Sequence, residues 1–154
     1  MMYRHLFRVY LILFFILSVA ETCVAQEWIR VKWVNDGDTI VLADGRHVRY
    51  IGINAPEIAH DHHKAEPFGY RAKKYNQSLV ESKKVRLEFD KERYDRYGRL
   101  LAYIFLKDGT FANQAMIEQG DAYVLYRRPN VKYDKILLQT QREYHNKFQC
   151  DKRA

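Results

Sequence analysis

Trp28-Ile29-Arg30-Val31-Lys32-Trp33-Val34, broken at Asn35-Asp36-Gly37-Asp38 and resumed at Thr39-Ile40-Val41-Leu42, is the stretch from which the fold is read. In the first run apolar and polar side chains partly alternate, as in a strand with one buried face. The second run is short and apolar and stops at Ala43-Asp44-Gly45, a hairpin signal. A third run, Val48 to Ile53, completes a three-strand meander. Further along, Lys84 to Asp90 alternates cleanly, and Leu100 to Leu106 is continuously apolar up to Lys107-Asp108-Gly109. Between these groups, Gly69 to Lys83 carries Ala72, Tyr75, Leu79 and Val80 at helical spacing. Thr110 is expected to N-cap a short helix through Gln119 that stops at Gly120. Tyr123 to Tyr126 reads as extended, and Tyr133 to Lys147 places Ile136, Leu137, Thr140 and Tyr144 at helical spacing. Five short strands in a three-plus-two order, with a helix between the groups, predict an α+β domain that is mainly β. Its form is a small closed five-stranded barrel with three helices packed outside.

The 154 residues leave room for one domain, and 47% hydrophobic content suits a globular core. Arg4 and Arg8 precede an apolar run from Val9 to Ala20, followed by a small-residue site ending at Ala25. That pattern predicts a signal peptide over 1–25, cleavage near Ala25, and a secreted or periplasmic domain over 26–154. The run is short for a membrane span, which needs about 20 apolar residues; only an uncleaved leader would tether the chain to a membrane. Cleavage would remove Cys23 and leave Cys150 without an internal partner. Cys150 is then read as an idle thiol or an intermolecular bridge. The net charge of +7, with 12 tyrosines, suits a polyanion that carries flat bases, or a basic protein whose charge serves solubility.

Three charges carry the chemical expectation. Arg49 shares the parity of Ile51 and Ile53 and is expected on the inward side of its strand, where a guanidinium is costly unless it reaches a barrel mouth or an anionic partner. Glu57 follows in the turn Asn54-Ala55-Pro56-Glu57. Arg99 opens the Leu100 run, just after Asp95-Arg96-Tyr97-Gly98. Two cations around one carboxylate match the needs of phosphodiester cleavage: the acid takes a proton from water, and the arginines hold charge that builds on phosphorus.

In order and spacing, these motifs resemble the staphylococcal nuclease (thermonuclease) family, an OB-fold barrel with three helices. The resemblance runs from about Val31 to the C-terminal helix. It is carried by Asn35-Asp36-Gly37-Asp38-Thr39, Arg49-Tyr50-Ile51-Gly52-Ile53-Asn54-Ala55-Pro56-Glu57, Pro67-Phe68-Gly69 and Asp95-Arg96-Tyr97-Gly98-Arg99-Leu100-Leu101-Ala102-Tyr103. It implies Arg49 and Arg99 as transition-state arginines and Glu57 as general base. It also implies a calcium site at Asp38 and the Ala55 carbonyl, with Asp36 of the same turn one layer behind the ligands. Arg96, Tyr97 and Tyr126 match substrate-binding positions. Asn54 stands where the family commonly has a second aspartate. An amide oxygen can still ligate calcium, but the site loses a unit of negative charge; weaker binding or loss of the site are the two readings. Arg128 stands where an aromatic ring often sits.

The resemblance implies a calcium-dependent, sugar-nonspecific endonuclease acting on DNA and RNA, preferentially single-stranded, with 3′-phosphate products; a monomer is expected, and no protein partner is implied. The alternative is an OB-fold module that binds nucleic acid without cutting it. Asp36-Gly37-Asp38 taken alone is an ordinary turn, and His60-Asp61-His62-His63 lacks helical metal-ligand spacing and reads as a surface loop. Tyr103, Tyr123 and Phe105 are expected in the core.

Overall fold

A computed structural model describes residues 27–59 and 64–151. The signal peptide expected over 1–25, His60, His62 and His63, and the Cys150 side chain lie outside the described residues. Among the described residues, seven strands and three helices follow in chain order: β1 (Trp28–Val34), β2 (Thr39–Leu42), β3 (His47–Tyr50), β4 (Ile53–Asn54), α1 (Gly69–Val80), β5 (Lys84–Glu88), β6 (Leu100–Leu106), α2 (Ala112–Glu118), β7 (Tyr123–Val124) and α3 (Asp134–Asp151). Five strands close a barrel in the order β1-β2-β3-β6-β5. All pairings are antiparallel except β3 with β6, where Arg49 lies opposite Leu101. The small strands β4 and β7 pair outside the barrel, with Asn54 opposite Tyr123.

Burial explains the reading of 100–106 as one apolar run. Leu100, Ala102, Ile104 and Leu106 face the barrel core, while Leu101 and Tyr103 join Ile51 in a second cluster against Phe105, Phe111 and Tyr133. A strand covered on both faces has no reason to alternate. α1 packs on β1 and α2, and α2 packs on β6 and α3.

The expected third strand, Val48 to Ile53, is broken. Val48 and Tyr50 point into the core, so Arg49 lies on the outer face, not the inward one. Gly52 reverses the parity at φ +80°, a conformation costly for any residue with a Cβ, and Leu137 Cδ1 lies 2.6 Å from where that Cβ would sit. Beyond it Ile53 rejoins the main core. Other boundaries shift as well. α1 ends at Val80 rather than Lys83, and β5 ends at Glu88. Phe111, not Thr110, occupies the N-cap of α2, which has no side-chain capping bond. Tyr123 is 52% exposed and so is not a core residue.

Candidate active site

The turn between β1 and β2 is held by its own side chains. The Asp36 carboxylate accepts the Asp38 N–H at 3.0 Å, and the Thr39 hydroxyl donates to Asp38 Oδ1 at 3.2 Å. Both aspartates are buried. Asp38 Oδ2 accepts the Ala55 N–H at 2.7 Å and pairs with Arg49 Nη2 at 2.9 Å. Arg49 in turn donates from Nη1 to the Tyr50 and Ile53 carbonyls at 2.8 and 2.9 Å, and from Nη2 to Asn54 Oδ1 at 2.9 Å. Asp38, Arg49, Asn54 and Ala55 therefore form one hydrogen-bonded cluster with Asp36 behind it. The β2–β3 register, which sets Thr39 opposite Arg49, brings them together.

Burial pushes the Asp38 carboxyl up to about 7. Arg49 opposes that shift, Asp36 adds to it, the Ala55 N–H opposes it and Glu57 adds to it. One guanidinium thus leaves the cluster short of positive charge. No group of three His, Cys, Asp or Glu side chains converges among the described residues. The donors on offer are the Asp38 carboxylate, the Asn54 amide oxygen and the Ala55 carbonyl. An oxygen-only set suits a hard cation such as calcium, which accepts carbonyl and water ligands as well as carboxylates, and Asp38 Oδ2 and Asn54 Oδ1 are held there by Arg49 Nη2.

Glu57 lies exposed just past β4, and its charge reaches Asp38. Its backbone is clasped by Glu66: the Glu57 N–H donates to Glu66 Oε2 at 3.1 Å and the Glu66 N–H donates to the Glu57 carbonyl at 2.9 Å. The start of α1 abuts the same carbonyl, because a Cβ on Gly69 would collide with the Glu57 oxygen.

Arg99 is organised separately. Its Nε donates to Asp95 Oδ2 at 2.8 Å and its N–H to Asp95 Oδ1 at 3.0 Å; the Tyr97 N–H also donates to that carboxylate. Burial works against charge on Asp95, but the Arg99 side chain and these N–H groups outweigh it and hold the carboxyl below its ordinary value. Arg96 Nη2 donates to the Tyr97 hydroxyl at 2.6 Å, and both guanidiniums lie over the Tyr97 ring. Arg49 pairs with Leu101, so Arg99, two residues before Leu101, shares the outer face with Arg49 on the neighbouring strand. Tyr97 and Tyr126 expose their rings.

Several contributors were not legible as site residues. Arg127 and Leu125 line a pocket with Arg49 and Leu101. Tyr123 accepts a hydrogen bond from Asn54 Nδ2 at 2.9 Å. Buried Asn76 of α1 donates to the Asp36 carbonyl and accepts from the Tyr50 hydroxyl. Its position on the buried face of α1, beside Ala72 and Val80, was the available signal.

Residues 47–148 match the family model described as Staphylococcal nuclease homologue. The chain is 37% identical over 131 residues to a thermonuclease of Staphylococcus intermedius, covering 83% of this chain and 77% of the relative. A thermonuclease of Staphylococcus hyicus is 36% identical over 121 residues, covering 77% and 71%. The endonuclease YncB of Bacillus subtilis is 42% identical over 119 residues, covering 73% of this chain and 56% of the relative. With that match laid over a five-stranded mixed barrel, the chain belongs to the staphylococcal nuclease family.

Proposed function

We propose that this protein is a calcium-dependent, sugar-nonspecific endonuclease that hydrolyses phosphodiester bonds of DNA and RNA, preferentially in single strands. It acts as a monomer after export and cleavage of the leader near Ala25. The observation that carries the reading is the Asp38–Arg49–Asn54 cluster, placed on the barrel face that also bears Arg99 and within the electrostatic reach of Glu57.

Asp38, Asn54 and the Ala55 carbonyl would hold calcium, with Asp36 fixing the turn. When bound, the cation polarises a phosphoryl oxygen. Glu57 takes the proton of the attacking water as the new P–O bond forms. Arg99 and Arg49 hold the non-bridging oxygens as their charge builds, and Arg49 is oriented beforehand by the Tyr50 and Ile53 carbonyls. Tyr97, Tyr126 and Arg96 take the flanking ring and phosphate. Cleavage of P–O5′ to leave a 3′-phosphate follows from the family resemblance. Recognition through backbone and stacking gives little sequence preference.

The test is cleavage of single-stranded DNA with calcium and then with chelator. Glu57→Gln and Arg99→Ala are each expected to lower kcat by about 10²-fold or more, as loss of a positioned catalytic group does. One observation, the amide at Asn54, favours a second reading as a non-catalytic binding module. Tight binding without cleavage in every sample would select it.

A further inference from the structure

A second concentration of charge lies at the opposite end of the barrel. Arg30 of β1, Lys83 and Lys84 before and at the start of β5, and Lys107 after β6 line one cleft with Asp108. Arg30 and Lys84 are direct cross-strand partners. Like charges in that position destabilise a sheet, so the pair costs the fold something it does not recover internally. Among the described residues no carboxylate stands within ion-pair distance of the four cations. Asp108, the one acid of the cleft, is turned to the Thr110 N–H at 2.9 Å. Lys83 Nζ holds the Ser78 and Leu79 carbonyls at the end of α1 and is thereby fixed beside the cleft.

The cleft is remote from the candidate active site but shares strands with it. Arg99 and Lys107 flank the seven residues of β6, a separation of roughly 25 Å at strand rise. β1 provides the shorter route. It begins near Arg30 and ends at the Asn35–Asp38 turn, and between them Lys32 and Trp33 are exposed, with Lys32 Nζ 4.7 Å from the Trp33 ring centroid. A cation beside a 41%-exposed indole is the pairing that takes up a phosphate and its base.

We propose that Arg30, Lys84 and Lys107, with Lys32 and Trp33 along β1, form a second nucleic-acid site that holds a single strand extending away from the cleavage site. The identity of the polyanion rests on the nuclease reading above. The exposed Lys32–Trp33 pair, a cation beside a ring that can stack a base, favours nucleic acid over an anionic membrane surface.

The test compares the parent with the triple variant R30Q/K84Q/K107Q. Binding of end-labelled oligothymidine of about six and about thirty nucleotides is followed by anisotropy in chelator across a range of NaCl, and cleavage of the short strand is assayed with calcium. Expected are binding of the long strand weakened about tenfold or more at low salt, and a slope of log K against log salt reduced by about 2, the value for three lost phosphate contacts on a single strand. Binding and cleavage of the short strand stay at parental values. The melting temperature rises as the Arg30–Lys84 opposition is removed, which also confirms that the variant folds. Parental affinity and slope for the long strand would overturn the proposal while leaving the nuclease reading intact. Loss of binding to phosphatidylglycerol vesicles, with the long strand still bound as in the parent, would overturn it in favour of a membrane site. A parent that binds neither strand yet cleaves the short strand with calcium would overturn the second site alone, and one that neither binds nor cleaves would overturn both readings.

Discussion

Asn54 stands where a carboxylate would add charge, and its two ends are held apart. Oδ1 accepts from Arg49 Nη2 at 2.9 Å, while Nδ2 donates to the Tyr123 hydroxyl at 2.9 Å and leans to the Ala55 carbonyl at 3.4 Å. A neutral oxygen asks less of Arg49 than a carboxylate would and offers less to calcium. Adding the charge should therefore tighten the proposed cation site: Asn54→Asp is expected to lower the calcium concentration for half-maximal cleavage by about tenfold or more, since ligand charge tunes calcium affinity strongly. Tyr123→Phe should move the midpoint the other way, because Nδ2 would keep only the long contact to Ala55 and the amide would lose its fixed orientation. A midpoint unmoved by Asn54→Asp removes Asn54 from the ligand set. Residue types at this scale were open to reading from the sequence; their pairing was not. Asp38 and Arg49 are eleven positions apart and meet only through the β2–β3 register.

At the scale of elements, α1 reaches into the site through one side chain. Asn76 Nδ2 donates to the Asp36 carbonyl at 3.1 Å, and Asn76 Oδ1 accepts from the Tyr50 hydroxyl at 2.9 Å, both deep in the fold. Asn76→Ala strands two buried polar groups and should cost about 3 kcal/mol by chemical denaturation. Because the Asp36 carbonyl belongs to the turn that presents Asp38, kcat at saturating calcium should also fall. A variant destabilised as expected with parental kcat would confine Asn76 to a structural role. The strands most legible beforehand, β1, β2, β5 and β6, are those whose pattern follows burial on one face or on both. Arg49 was assigned the wrong face because apolar Ile51 and Ile53 share its parity. Ile51 in fact packs in the second cluster, and Ile53 returns to the core only beyond the Gly52 reversal. A left-handed glycine between two apolar residues leaves the hydrophobic pattern unchanged while flipping the side chains beyond it.

Across the whole molecule, the barrel is tied to the segment that leads into α3 by two carboxylates, Glu88 at the end of β5 and Asp90 just beyond it. Glu88 accepts from the Tyr133 hydroxyl and from Arg86 Nη1, each at 2.8 Å, and pairs with Lys132. Asp90 accepts the N–H groups of Val131 and Lys132 at 2.8 and 2.9 Å. Burial disfavours charge on Glu88, but Lys132, Arg86 and Tyr133 outweigh it and bring the carboxyl from 4.5 to about 2. A carboxyl lowered by folding contributes stability that is complete above its unfolded value and is lost as pH falls toward the folded one. The Glu88 contribution should therefore be full at neutral pH and decline between about 4.5 and about 2. Glu88→Gln keeps the shape and removes the titration. Its urea midpoint should lie below that of the parent at pH 7, and the two should converge as the pH approaches the folded value, so that the variant loses less on acidification. Asp90, held below its ordinary value by the same segment, keeps part of the pH dependence in both proteins. Equal losses for parent and variant across that window would mean that Glu88 does not link the barrel to the C-terminal helix.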